Sequence, residues 1–238
     1  MPKYAMVIDL HRCTGCGACI IGCKSENNLD EGIFWAHHIT ITEGKFPDIK
    51  YTYITTLCNH CDNAPCVEVC PVEPKAMYKL ENGITMHNIE RCIGCRLCED
   101  NCPYGVISYH ADEPHQFWRD DTSLIEGGTS TPVEITKAAG GKVMPYYNPD
   151  RASTYPGIRP RKKVEKCTFC DHRLEKGLIP YCVETCPAVA RYFGDLDDPN
   201  SEVSQLLNKY EGKGLQEELG TKPRVYYIRQ YTPEQKSE

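Results

Sequence analysis

The sequence predicts an α+β fold assembled from one small unit used four times, and three observations predict it. All 16 cysteines of the 238 residues fall into four runs of four. Three of the runs end in Cys-Pro, at Cys70-Pro71, Cys102-Pro103 and Cys186-Pro187. Between the runs lie short strand-like stretches punctuated by turn signals such as Asn82-Gly83. An internal repeat of this kind organises the fold before any single element does.

The run from Cys92 to Pro103 is the most regular, with Cys92, Cys95, Cys98 and Cys102 in C-x2-C-x2-C-x3-C spacing. This is the bacterial-ferredoxin spacing for a [4Fe–4S] cluster. Three thiolates two residues apart on a Gly-containing turn converge on one cubane, and the fourth, a helical turn later, faces away from it. In two-cluster ferredoxins that last thiolate serves the neighbouring cluster, so the runs are expected to work in pairs.

Taken in order, Tyr4 to Leu10 reads as a short strand, followed by run one: Cys13, Cys16, Cys19 and Cys23, with Lys24 where proline stands in the other runs. Leu29 to Thr56 contains two alternating stretches, His37 to Thr42 and Tyr51 to Thr55. Run two is Cys58, Cys61, Cys66 and Cys70, its middle spacing widened by Asp62 to Pro65. Ala76 to Leu80 and Ile84 to Met86 flank Glu81-Asn82-Gly83 as a hairpin, leading into run three. Ala111 to Lys163 is rich in Gly, Pro, Ser and Thr without a sustained period, and reads as an insertion that either wraps a partner or lies on the surface as a mobile loop. Run four is Cys167, Cys170, Cys182 and Cys186, stretched by an eleven-residue insertion carrying Gly177 and Pro180. Arg191 to Gly194 reads as a strand, Glu202 to Tyr210 as a helix capped by Ser201 or Asn200, and Arg224 to Arg229 as a returning strand; all three are read as packing.

The short hairpin between runs two and three makes them an inner ferredoxin-like module over 57–110. Runs one and four then form an outer module, 1–56 with 164–199, around it. The insertion occupies 111–163 and a C-terminal helix and strand 200–238. The crossed-ligand rule assigns cluster 1 to Cys13, Cys16, Cys19 and Cys186, cluster 2 to Cys23, Cys167, Cys170 and Cys182, cluster 3 to Cys58, Cys61, Cys66 and Cys102, and cluster 4 to Cys70, Cys92, Cys95 and Cys98. The alternative is that each run closes on itself.

Composition narrows the function. A disulfide framework belongs to short exported chains behind a signal peptide, and Met1 to Leu10 has neither a basic start nor a long apolar core. No apolar run approaches the ~20 residues that span a bilayer. The formal charge of −6 disfavours nucleic acid, and no phosphate-cradling glycine pattern is present. Structural zinc usually takes two separated C-x2-C pairs, so a zinc-stabilised interaction module is the alternative from another class.

With four thiolates per cluster no iron is left open for substrate, so the expected chemistry is one-electron transfer and the expected catalytic residues are none. Arg12, Arg91 and Lys166 each precede the first cysteine of a run; a charge there would raise a cluster potential, and the plainer expectation is a solvated side chain. Glu99 and Asp100 would act in the opposite sense. His60 and His172 lie inside runs whose cysteine sets are complete, which leaves them hydrogen bonding or packing; His37, His38 and the basic stretch Arg159, Arg161, Lys162 and Lys163 read as exposed positions.

Four cysteine runs, the fourth stretched between its second and third cysteines, resemble the iron–sulfur electron-transfer subunits of molybdopterin oxidoreductases, the dimethyl sulfoxide, polysulfide, tetrathionate and arsenate reductases among them. The resemblance covers about Tyr4 to Pro199. Cysteine stands at every run-three position where nitrate-reductase-type relatives carry one Trp, which implies four [4Fe–4S] clusters. MVIDL (Met6 to Leu10), KSENN (Lys24 to Asn28), LCNHC (Leu57 to Cys61), CTFCDHR (Cys167 to Arg173), GDLDDP (Gly194 to Pro199) and His37 with His38 look most like the small subunit of respiratory arsenate reductase. The resemblance implies a heterodimer with a molybdopterin-containing catalytic subunit and a quinol-linked cytochrome or membrane subunit as redox partner. It also implies a periplasmic location reached by export beside a twin-arginine partner, a cytoplasmic one being the alternative. The equivalent subunit of arsenite oxidase, formate dehydrogenase or a hydrogenase, and a free-standing polyferredoxin, are the neighbouring readings. Protein isolated anaerobically should be brown, with visible absorption that dithionite bleaches; colourless protein carrying zinc would refute the redox reading.

Overall fold

The computed structural model describes residues 1–114, 123, 125–144 and 147–229. Parts of the 111–163 and 200–238 spans named above therefore lie outside the described residues.

Strand β1 (Tyr4–Asp9) is the centre of a three-stranded sheet. Ala5, Met6, Val7 and Ile8 are all fully buried, which explains their unbroken apolar run: both faces of the strand are covered. On one side β1 pairs antiparallel with β8 (Arg191–Asp195), Val7 opposite Tyr192; on the other it pairs parallel with β9 (Val225–Ile228), Val7 opposite Tyr226. Side chains alternate across a strand, so Ala5 and Val7 pack with Val203 on one face while Met6 and Ile8 join the larger core with Trp35 and Leu57. Val203, Leu206 and Leu207 come from helix α7 (Glu202–Lys209), whose first turn is capped by the Ser201 hydroxyl accepting from Ser204 N at 3.1 Å. Ser201 is the cap, not Asn200.

The two alternating stretches before run two form one hairpin, β2 (Ala36–Lys45) with β3 (Asp48–Leu57), turning at Phe46-Pro47. Its base is buried at Ala36 and Leu57, and its tip, Phe46, stands in solvent. The Asn82-Gly83 signal produces β4 (Met77–Lys79) and β5 (Thr85–His87); Gly83 takes φ +88° and donates to the Leu80 carbonyl. The left-handed φ is what favours glycine at Gly83; an added Cβ would also displace the end of the Arg224 side chain, whose guanidinium carbon would lie 2.6 Å away. The helical segments of the runs are α1 (Ala18–Glu26), α2 (Pro65–Glu68), α3 (Leu97–Asp100), α5 (Asp171–Leu174) and α6 (Tyr181–Glu184). α1 packs on α6 and α2 on α3.

The described part of the span 111–163 is irregular apart from two short elements. It holds helix α4 (Pro132–Ala138), started by a Thr131–Glu134 capping box that the Thr-Pro-Val-Glu sequence spells out, and a 3-10 turn at Pro149–Ser153. From that turn onward the chain is irregular but partly buried, and Pro156, Pro160, Arg161 and Lys162 stay exposed. Arg151, Tyr155 and Arg159 are buried, so Arg159 is not the exposed residue the sequence suggested. The Arg159 guanidinium pairs with the buried Glu165 of β7 (Val164–Glu165), which closes against β6 (Ser108–Tyr109); it also donates to the Gly157 carbonyl at 2.8 Å and the Asn28 carbonyl at 2.6 Å. His110 Nε2 lies 3.0 Å from the other Glu165 oxygen.

Burial alone would raise the Glu165 carboxyl, but Arg159 and His110 outweigh it and hold it below the ordinary carboxylate range. A depressed folded value means that this linkage contributes above the ordinary carboxylate range and is lost as pH falls through the folded value. Arg159→Ala strands a buried carboxylate and should cost ~3–5 kcal/mol, read as a lower unfolding midpoint and lower iron content of purified protein. A surface pair would change neither measurably.

Candidate metal centres

Each run opens on a Cys-x-x-Cys turn whose third residue is in the left-handed region: Gly15 (φ +67°), His60 (+45°), Gly94 (+71°) and Phe169 (+55°). Left-handed backbone there folds the two sulfurs back to the same side. At Gly15 and Gly94 neighbouring groups press close, and an added Cβ would meet the Tyr53 ring at 2.4 Å and the Lys162 carbonyl oxygen at 2.1 Å. His60 and Phe169 take the same conformation, and their rings lie tilted against each other, centroids 3.7 Å apart.

Three small cavities open at these turns. Cys13, Cys16, Cys19 and Cys186 line one; Cys58, Cys61, Cys66 and Cys102 line the next; Cys70, Cys92, Cys95 and Cys98 line the third. In each, three thiols come from one run and the fourth from another. The remaining cysteines, Cys23, Cys167, Cys170 and Cys182, are buried together, with Asn27 Nδ2 3.6 Å from Cys23 Sγ and 3.8 Å from Cys170 Sγ. All 16 cysteines are free of disulfides. Among the described residues no three Cys, His, Asp or Glu side chains converge tightly enough for a single metal ion. The cradles suit a polynuclear group instead of mononuclear zinc, and their all-sulfur donor sets suit iron–sulfur clusters.

The four sets form a row. α1 carries Cys19 of the first set and Cys23 of the second; α6 carries Cys182 of the second and leads directly to Cys186 of the first. The second meets the third where the Cys58 sulfur raises the cost of ionising Cys167 and where the Phe169 ring lies against that of His60. The third joins the fourth along Cys66–Cys70 and Cys98–Cys102. Cys16 and Cys95 are exposed at the two ends of the row, while all four thiols of the second set are buried.

The 4Fe-4S dicluster domain profile matches residues 49–118 and 143–196, and a 4Fe-4S binding domain profile matches residues 10–27. The chain belongs to the 4Fe-4S dicluster family of iron–sulfur electron-transfer proteins. It is 55% identical over 229 residues, 96% of this chain and 97% of the relative, to the arsenate respiratory reductase iron–sulfur subunit of Shewanella sp. (strain ANA-3). It is 39% identical to the iron–sulfur subunit of a putative dimethyl sulfoxide reductase of Halobacterium salinarum, covering 96% of this chain and 79% of that one. A tetrathionate reductase subunit of Salmonella typhimurium is 34% identical, over 95% of this chain and 72% of its own length.

Polar atoms of this dicluster protein are arranged for an anionic group. Backbone N–H groups approach sulfur at Gly94 to Cys92 (3.4 Å), Phe169 to Cys167 (3.4 Å) and Ala190 to Cys186 (3.3 Å). Around the cavity of the first set, His38 Nε2, Thr55 Oγ1 and Arg191 Nη2 are buried without a partner among the described residues. Thr85 Oγ1 is in the same position beside the third set. Burial, and then the neighbouring thiols, push Cys66 and Cys98 up to about 12. Filling these sites therefore displaces thiol protons and becomes harder as pH falls.

Several side chains differ from their sequence expectation. Lys166 is not solvated but buried, its ammonium donating to the Cys167 carbonyl at 2.9 Å and to the Thr85 carbonyl. Arg191 is more than strand packing: it is buried and lines the first cavity. His37 and His38 are half-buried, and burial lowers both. His60 accepts from Thr85 N at 3.1 Å, and burial with the charges of Lys166, Lys79 and Arg224 holds it neutral. His172 accepts from Arg151 at 2.6 Å and meets Glu26 at 2.8 Å, so both ring nitrogens are engaged away from sulfur. Only a buried strand position immediately after the last cysteine run marks Arg191 in the sequence.

Cys102→Ser should deplete the group cradled by Cys58, Cys61 and Cys66, not the one cradled by Cys92, Cys95 and Cys98. The check is which component of the electron paramagnetic resonance spectrum disappears; loss of the run-three component instead would mean that each run closes on itself.

Proposed function

We propose that this chain is the iron–sulfur subunit of a respiratory arsenate reductase. It would carry four [4Fe–4S] clusters and relay single electrons between a quinol-linked donor and a molybdopterin-containing catalytic subunit. The observation that carries the arsenate assignment is the 55% identity, end to end, with the Shewanella subunit of that name. The unbroken row of four four-cysteine sets supports the relay.

Cys13, Cys16, Cys19 and Cys186 would hold the first cluster; Cys23, Cys167, Cys170 and Cys182 the second; Cys58, Cys61, Cys66 and Cys102 the third; Cys70, Cys92, Cys95 and Cys98 the fourth. A cubane with four thiolate ligands supplies one-electron transfer and offers no open coordination position. Catalysis on an oxyanion therefore belongs to the partner. The packing of α1 on α6 and of α2 on α3 supports an outer pair of runs, one with four, around an inner pair, two with three. Exposure of Cys16 and Cys95 gives a donor and an acceptor one end each to approach. Among the described residues no helix is long and apolar enough to cross a membrane, so contact with a quinol-linked subunit would be made from outside the bilayer. Placement in the periplasm, beside a catalytic partner bearing a twin-arginine signal, is part of the same proposal.

The test is elemental analysis of the tagged chain purified anaerobically from its native host, with arsenate-dependent oxidation of a reduced dye assayed on the same sample. Molybdenum with roughly sixteen or more irons per molybdenum, and arsenate-dependent turnover, is the expected result. Iron with molybdenum but turnover only with tetrathionate or a sulfoxide would assign the chain to a sister reductase. Iron without molybdenum would overturn the partner, and zinc without iron the relay.

A further inference from the structure

Among the described residues, buried Lys and Arg side chains follow a rule with two exceptions. Arg151 pairs with Asp171 at 2.9 Å, Arg159 pairs with Glu165, and Arg224 pairs with Asp62 at 2.6 Å. Lys166 and Arg191, 1% and 3% exposed, have no carboxylate partner among the described residues. A charge taken out of water without a counter-charge costs several kcal/mol, so such groups are normally paired. The acids and bases near Lys166 do not supply one: Glu165 is engaged by Arg159 and His110, and His60 and His87 are neutral. Arg191 Nη1 reaches the Met6 sulfur at 3.8 Å, while Nη2 has no partner among the described residues; β8, which carries Arg191, packs on α6, which carries Cys182.

Both exceptions stand where consecutive cysteine sets meet. Arg191 lines the cavity of the first set, and its charge also acts on Cys182 of the second. Lys166 lines the cavity of the third set while bonding the carbonyl of Cys167, a member of the second. The second set, flanked by both, has four buried thiols and so the least water to stabilise added negative charge.

We propose that Lys166 and Arg191 are the fixed counter-charges of the cysteine-bound groups, Arg191 shared by sets one and two and Lys166 by sets two and three, and that they hold the reduction potential of the buried second site up. The proposal rests on the iron–sulfur reading of the four sets. A thiolate-bound cubane is an anion that gains one more negative charge on reduction. A cation fixed beside it therefore favours the reduced form. Set four, where neither cation sits, is the internal control.

The experiment is a potentiometric titration of the intact complex followed by electron paramagnetic resonance, comparing wild type with Lys166→Gln and Arg191→Gln. Each variant should lower the midpoints of two components, with one component lowered in both and one in neither. Lys166→Arg and Arg191→Lys should restore wild-type values. Unmoved midpoints at full iron content would overturn the counter-charge role while leaving the relay intact; absence of iron from the wild type would instead defeat the relay itself. If the Gln variants lose iron, the charge-keeping variants decide. Iron and midpoints retained in Lys166→Arg and Arg191→Lys assign the loss to charge, and iron lost there too would assign it to shape and overturn the proposal.

Discussion

The direction of the fourth cysteine in each run is the constraint on which the rest depends. Three thiols from a left-handed turn and a helical segment that follows it face one cavity, and the fourth, on α1 in run one and two residues past the helical segment in the other runs, faces another. Cys186 consequently lines the first run's cavity and Cys102 the second run's. In each of the three cavities one run supplies three of the four thiols and another run the fourth, so segments far apart in sequence meet at every one of them. α2, α3, α5 and α6 are four residues each, too short to persist alone, and are held by the packing that this sharing imposes. Binding at the sites and folding of the chain are then parts of one free energy.

The same constraint explains the distribution of charge. Sixteen cysteines in a chain of this size set thiol clusters among the aliphatic side chains of the core, and the cations gathered there are balanced in two ways. Arg151 and Arg159 find Asp171 and Glu165 and tie the 147–165 stretch to the body. Lys166 and Arg191 face the donor sets, and no carboxylate among the described residues pairs with them.

What can be read in the sequence is whatever depends on neighbours a few residues away. Cysteine spacing exposes the four runs, Asn82-Gly83 the hairpin, Ser201 the helix cap, and the apolar run from Ala5 to Ile8 the central strand. What cannot be read depends on partners tens of residues distant. Arg159 sits in a basic stretch of which Arg161 and Lys162 are exposed as expected; Lys163 is instead half-buried, its ammonium donating to the Cys92 carbonyl, and Glu165 with the Gly157 and Asn28 carbonyls draws Arg159 inside. Lys166 has the sequence environment of Arg91, which is exposed; its burial comes from the Thr85 strand lying across it. The pairing of β2 with β3 is not legible because Phe46-Pro47 carries no Asn-Gly or Gly-Gly signature. The Thr131–Glu134 capping box is legible in isolation and is outweighed by the loop-like composition around it.

The residues at the third position of the opening turns divide into two kinds. In runs one and three it is glycine, and another part of the chain lies against the bare backbone; in runs two and four it is His60 and Phe169, and the rings lie against each other. The ring contact sits at the midpoint of the row. A split there would turn two buried rings and an uncompensated ammonium out to water at one stroke. The whole four-site chain is therefore the smallest piece that keeps its interior dry, and a half carrying two sites would be a fragment with an open seam, not a shorter wire.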